Sequence, residues 1–266
     1  MTRALGALTL ALVAIGPAAA QESPFGLPKP LGGPIVGPDG RVMSGLDKTT
    51  PSEWTGGLEL GLGGAEGNTT ILKLRAGLDV QYDTPDDFMT ASLLYILTRS
   101  DNSIIEQKAF ALVRNELPID ETWAWYVQGQ LEYDENRNID FRSAGHNGFS
   151  MTVFRTGDSV MKIRAGAGAA YETGKPVNDW VPEGQAGGDI EYSLTARSKL
   201  CAGADYYPDL QNLSHYRVRA RAWIDLLIDP DLNAYLRLGV YDRYDSNPLG
   251  SQRNDLDYYM NLLIRF

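Results

Sequence analysis

Two segments bring a histidine close to a hydroxyl. His146 is followed by Asn147, Gly148 and Ser150, and His215 adjoins Ser214. A histidine next to a serine can act as general base to a nucleophile, and such a pair hydrolyses esters. The spacing argues against that chemistry. Ser150 lies four positions beyond His146, about 13 Å along a strand at ~3.3 Å per residue, too far for a nucleophile–base hydrogen bond. The position two after His146, on the same strand face, is glycine. His215 and Ser214 are neighbours, and neighbours on a strand point to opposite faces. No catalytic residue is assigned, and both histidines are expected in loops or at interfaces.

The charged residues form a second constellation. Lys73, Arg75, Lys162, Arg164, Arg217, Arg219, Arg221, Arg237 and Arg265 sit between apolar neighbours, as do Glu59, Asp79, Glu132, Asp205, Asp225 and Asp257. Charges facing one side of a closed sheet build either a constriction that selects solutes or a lumen filled by mutual ion pairs. A third set falls in predicted loops: Asp134, Glu135, Asp140, Glu172, Asp179, Glu183, Asp242, Asp245 and Asp255. Their spacing forms no calcium-loop motif. Cys201 is the only cysteine, so no intrachain disulfide forms and no Cys/His zinc spacing exists. No metal and no cofactor is expected. The formal net charge of -10 argues against non-specific nucleic-acid binding.

The elements that must carry these charges alternate with period two. The last one is the clearest. Leu256, Tyr258, Met260, Leu262, Ile264 and Phe266 are apolar, with Asp257, Tyr259, Asn261, Leu263 and Arg265 between them. One face is greasy and the other largely wet. A greasy face ending on a terminal phenylalanine is what closing strands of bacterial outer-membrane barrels look like. Phe266 is therefore read as a barrel signal that addresses the chain to the barrel-assembly machinery. About twelve such segments follow one another from Trp54, each near the length a tilted spanning strand needs. Residues 216–226 alternate most sharply; residues 104–116 and the segment containing Leu94 and Ile96 blur.

The connections give an independent test. Those after even-numbered segments are short and rich in turn residues: 84–87, 118–121, 156–158, 197–198 and 229–231. Several after odd-numbered segments read longer: 134–142, 173–184, 208–214 and 242–254. Short periplasmic turns and longer external loops are the habit of outer-membrane barrels. Mean hydropathy is only -0.26. Such barrels hide from hydropathy because only alternate residues face lipid. Glycine is abundant at 28, and tyrosine outnumbers phenylalanine 14 to 7, as pleated strands with aromatic girdles require.

The N-terminus fits the same compartment. Arg3, an apolar run to Ile15 and the Ala18-x-Ala20 pattern predict a cleavable signal peptide over residues 1–20. Residues 21–50 hold Pro24, Pro28, Pro30, Pro34 and Pro38 and read as an extended periplasmic linker. Residues 51–266 then form an all-β, antiparallel transmembrane barrel of about 12 strands in the outer membrane.

The run Trp54-Thr55-Gly56-Gly57-Leu58-Glu59-Leu60-Gly61 leads into Gly67-Asn68-Thr69, and Tyr133-Asp134-Glu135 leads into Asn138-Ile139-Asp140-Phe141-Arg142. Both stretches resemble the uncharacterised bacterial family labelled salt-induced outer membrane protein, domain of unknown function 481. The resemblance implies an outer-membrane barrel of unknown substrate. The expected role is non-enzymatic, a narrow pore or an envelope structural protein, with membrane lipids around it and small polar or ionic solutes as cargo. The competing classes are an outer-membrane lipid hydrolase and a secreted soluble β-sandwich.

Overall fold

The computed structural model describes residues 54–66, 70–84, 87–101, 103–135, 139–173, 180–248 and 252–266. The expected signal peptide and linker lie outside the described residues, as does Asp179. Twelve strands follow in chain order: β1 Trp54–Ala65, β2 Ile71–Thr84, β3 Asp87–Ser100, β4 Ser103–Pro118, β5 Trp123–Asp134 and β6 Ile139–Arg155, then β7 Ser159–Thr173, β8 Trp180–Thr195, β9 Ser198–Pro208, β10 Tyr216–Asp229, β11 Ala234–Asp245 and β12 Asn254–Arg265. Each pairs antiparallel with its sequence neighbour, and β12 returns to β1, so one sheet closes into a barrel. A two-sheet sandwich is excluded by that closure.

Alternation sets the two faces. On β10, Arg219, Arg221, Trp223 and Asp225 are buried inside, while Val218, Ala222 and Ile224 alternate outward. Leu58, Leu60, Leu62, Leu93, Phe149, Ile163, Leu200, Leu238, Met260 and Ile264 are large apolar residues left exposed on other strands. Their exposure has one physical source: the hydrophobic surface is on the outside of the closed sheet and the polar groups are within.

Two blurred segments have local causes. Between β3 and β4 the register passes from Thr98↔Glu106 to Arg99↔Ile104. Ile105 is the extra residue of a bulge, so Ile104 and Ile105 are both exposed and the alternation breaks. Leu94 and Ile96 face inward with Phe88 and Leu112 and give that wall an apolar lining.

Three expected loops are partly strand. β5 runs to Asp134 and β6 starts at Ile139; β8 starts at Trp180; β11 runs to Asp245 and β12 starts at Asn254. Asp134, Glu172 and Glu183 are buried in strands, not gathered in external loops. Charge, proline and glycine mark loops in soluble proteins, but here the same residues line the inside of a sheet. Long odd-numbered loops therefore shrink, with 209–215 and 246–253 the longest among them.

The closing ladder is the shortest. β1 and β12 pair from Gly57↔Arg265 to Leu60↔Leu262, and Gly56 and Phe266 exchange backbone hydrogen bonds of 2.9 and 3.0 Å beyond it. Every other joint continues over most of both strands.

A charge-filled interior as the candidate functional site

The inward positions of twelve strands converge on one space, and charged side chains fill it. Near the rim that carries the odd connections, Arg142 on β6 donates to Glu183 on β8 at 2.7 Å. Arg217 also reaches Glu183, with Glu172 at 3.8 Å. Arg219 on β10 meets Glu132 on β5 and donates to Gln130 at 3.2 Å. Arg243 on β11 binds Asp134 on β5 at 2.8 Å and Asp255 on β12. Lys108 on β4 lies 2.8 Å from Glu106 and 3.2 Å from Asp255. Lys73, whose side chain is 40% exposed, joins Glu106 and Asp257 at 3.5 and 3.8 Å.

At mid-height Arg164 and Arg221 share two carboxylates, Asp205 and Asp189. The Tyr126 hydroxyl donates to Gln185 at 2.9 Å, and Gln130 donates to the Tyr207 hydroxyl at 3.0 Å. Toward the other rim, Arg237 holds Asp225 with two bonds of 2.7 and 2.8 Å and reaches Glu59 at 3.0 Å. Arg75 and Asn261 also meet Glu59, and Arg265 meets Asp225 at 2.8 Å. Lys162 lies 3.6 Å from Glu116 and Lys199 pairs with Glu191. Asp79 is buried on β2.

This arrangement follows from elementary energetics. A charge removed from water is costly unless paired and hydrogen-bonded, so the carboxylates are shared among several guanidinium groups. The planar guanidinium fork suits that role. Aromatic rings take the remaining faces: Arg75 lies 4.1 Å from the Tyr259 ring centre and Arg219 lies 4.8 Å from that of Phe110. Glycine supplies the room. A Cβ on Gly203 would meet Asp189 and Arg221, and one on Gly187 would meet Asp205.

Several contacts cross the barrel. β5 and β10 are five strands apart in a ring of twelve, so Arg219–Glu132 joins opposite walls. Arg243–Asp134 does the same. Two voids among the described residues are small: one of about 20 Å³ lies between Ile96, Lys108, Glu132 and Arg243, and another of about 10 Å³ lies beside Leu112, Tyr207 and Arg221. Each has space on the scale of a single water.

The expected chemistry-bearing residues fall out as follows. His146 is in neither a loop nor an interface; it is buried on β6, its ring 5.3 Å from that of Tyr207 and its Nε2 3.4 Å from Glu183. The physical reason is the same misread loop: β6 starts at Ile139, so His146 is an inward strand residue. Ser150 is buried on the same face four positions on. His215 is half-buried beside Asn212, in the connection between β9 and β10. Cys201 is buried on β9 and unbridged. Among the described residues, no group of three or more acidic, histidine or cysteine side chains is placed to hold a metal. No described helix is long and apolar enough to cross a membrane, which leaves crossing by strands untouched. Sequence reasoning missed Lys108, Arg114, Arg142, Asp189, Glu191 and Arg243. Parity on their strands was the available signal, once the strand ends were known.

A family model described as "Protein of unknown function, DUF481" matches residues 58–266. No curated protein matches the chain. Among solved structures, it is similar to a KdgM porin, at 9% identity and TM-score 0.43, covering 80% of this chain and 99% of that one. It is similar to a NanC porin at 12% identity and TM-score 0.43, covering 79% and 97%. The translocator domain of autotransporter NalP from Neisseria meningitidis gives 11% and 0.40, covering 80% and 87%. The closed-barrel assignment rests on the strand pairing itself and not on these likenesses.

Proposed function

This chain belongs to the DUF481 family, and we propose that it is a non-enzymatic outer-membrane barrel acting as a narrow, ion-selective pore that ion pairs hold closed. The carrying observation is the Arg219–Glu132 and Arg243–Asp134 contacts between opposite walls. A permanently sealed core gains more from apolar filling than from buried ion pairs, which often contribute little net stability. Charges that can exchange partners with passing ions or water are a reason to retain them. The apolar exterior supports membrane residence, since a charge facing lipid at mid-membrane costs about 2–4 kcal/mol.

The remaining parts of the proposal follow from that location. Residues 1–20 act as a cleaved export signal and residues 21–50 as a periplasmic linker. The strand ending at Phe266 presents itself to the barrel-assembly machinery, and membrane lipids surround the apolar face. Lys73, Arg75, Asp79, Glu132, Lys162, Arg164, Arg217, Arg219, Arg221, Asp225, Arg237, Asp257 and Arg265 form the lining. Regulation by external salt is part of the proposal, and transcript levels under raised salt test it.

Planar-bilayer recording tests conduction. The pore reading expects small stepwise currents, and Arg219→Ala, which removes a bridge between walls, is expected to enlarge them and shift selectivity toward cations. The second reading, an envelope structural barrel, is favoured by the single-water scale of the voids. Silence over many verified insertions, in the native chain and in Arg219→Ala alike, would select it.

A further inference from the structure

One row of inward residues stands apart from the paired network. Across four adjacent strands the register aligns Thr90 with Arg114, Arg114 with Gln128, and Gln128 with His146. All four side chains are buried, with at most 2% exposure. The Arg114 Nε donates to Gln128 Oε1 at 2.7 Å. Beyond that bond, both terminal nitrogens of Arg114, the Gln128 Nε2 and the Thr90 Oγ1 lack a hydrogen-bond partner among the described residues, while the His146 Nε2 lies 3.4 Å from Glu183. Aligned residues on one face have Cβ atoms about 4.5–5.5 Å apart, so these groups are neighbours.

The charge balance is as distinctive as the geometry. Arg164, Arg221, Arg237 and Arg243 each engage at least two carboxylates. Among the described residues no carboxylate forms a direct ion pair with Arg114; Asp205, Asp189 and Glu116 act on it from farther off. The nearest acidic residue on its own strand face, Glu116, lies 3.6 Å from Lys162. A guanidinium keeps its charge at any ordinary pH, so neutralisation by losing a proton is closed to it. A buried cation whose acids stand off at a distance is costly. The unpartnered groups on Arg114 and Gln128 are donors only, and the Thr90 hydroxyl can donate as well. Such a set recognises an acceptor with several lone pairs, and a planar fork fits two oxygens of one group.

We propose that Thr90, Arg114 and Gln128 form a binding site for a small oxyanion, a carboxylate or phosphate group, taken in two-pronged fashion by the Arg114 guanidinium. His146 extends the row and contacts the same ligand if it is longer than one anionic group. The site requires the folded barrel and not ion conduction, so it goes beyond the pore reading and survives its failure.

The full chain, refolded in detergent micelles and checked for folding by its gel-mobility shift on boiling, is titrated calorimetrically with inorganic phosphate and, separately, with acetate in a chloride background. Saturable binding is expected with at least one. Phosphate alone assigns a phosphoryl ligand; acetate alone assigns a carboxylate. Arg114→Gln is expected to weaken binding about tenfold or more, as loss of a charge-assisted pair implies. Arg114→Lys keeps the charge but loses the fork, and should fall between. Should Arg114→Gln fail to fold, Thr90→Val and Gln128→Leu decide, each lowering affinity while leaving the cation in place. No binding of either anion, or binding that every folded variant leaves unchanged, overturns the proposal.

Discussion

Arg237 on β11 donates to Glu59 on β1 at 3.0 Å, reaching past β12 across the joint that closes the barrel. The same guanidinium grips Asp225 on β10 with two further bonds. One side chain thus ties both sides of the closure. Replacing it by alanine leaves two buried carboxylates short of a partner, an error of about 3–5 kcal/mol. Arg237→Ala is expected to lower the boiling-shift midpoint in detergent strongly, and Arg237→Lys to recover only part of it, because an ammonium cannot replace the two-pronged grip. A midpoint equal to the native one would show that Arg237 does not secure the closure.

Ala222 alternates with the buried Arg221 and Trp223 and so faces outward on β10. Arginine there places a charge on the apolar exterior. In lipid vesicles Ala222→Arg is expected to fold less stably by about 2–4 kcal/mol, the depth-dependent cost of a mid-membrane cation. Measured by urea titration, an effect near zero would mean that this face is wet and that the membrane reading is wrong.

Gly168 pairs with His146 across β6 and β7. A Cβ there would run into the Gly145 carbonyl and lie 2.7 Å from the His146 Cα, both backbone atoms that a rotamer change cannot clear. Gly168→Ala is expected to cost about 1–3 kcal/mol, the usual range for overpacking. Gly157 and Gly129 have open space at the equivalent point, so Gly157→Ala is the matched control and should unfold at the native urea concentration.

Asp120 lies in the connection between β4 and β5, where its carboxylate accepts hydrogen bonds from the backbone amides of Thr122 at 2.7 Å and Trp123 at 2.8 Å. The Trp123 and Thr122 amides hold its pKa below the ordinary aspartate value. The turn support is therefore present above the unfolded pKa, near 3.9, and is lost as pH falls through the lower folded value. The Trp123 amide resonance should titrate with a midpoint below ~3.9. A midpoint at or above that value would remove the carboxylate from the turn.

Legibility from sequence divided along one physical line. The closing strand and residues 216–226 were readable because outward aliphatic residues alternate with charges, which is the signature a lipid-facing sheet must carry. The tight turns at 118–121 and 156–158 were readable from Pro118, Asp120, Gly157 and Asp158. Asp134, Arg142, Glu183 and Arg243 were misplaced because a charged, buried strand end and a solvated loop have the same composition. The apolar wall of Leu94 and Ile96 was legible only as noise, since an inward apolar residue violates the same alternation that reveals the barrel. That Arg114 lacks a direct ion pair was invisible in principle. Pairing between walls is a property of closure, and no local pattern reports which arginine ends up without an acid in direct contact.

The short ladder between β1 and β12 gives the wall a mechanical character. A circumferential pull is borne by long rows of bonds at the other joints and by few at this one. Bilayer thickness acts as such a load whenever it differs from the height of the apolar face. The wall is expected to yield first beside Gly61 and Leu62, where the ladder ends next to the buried Glu59–Asn261 hydrogen bond. The cylinder is better pictured as a strap with a buckle, fastened by polar side chains where the backbone stitching runs out.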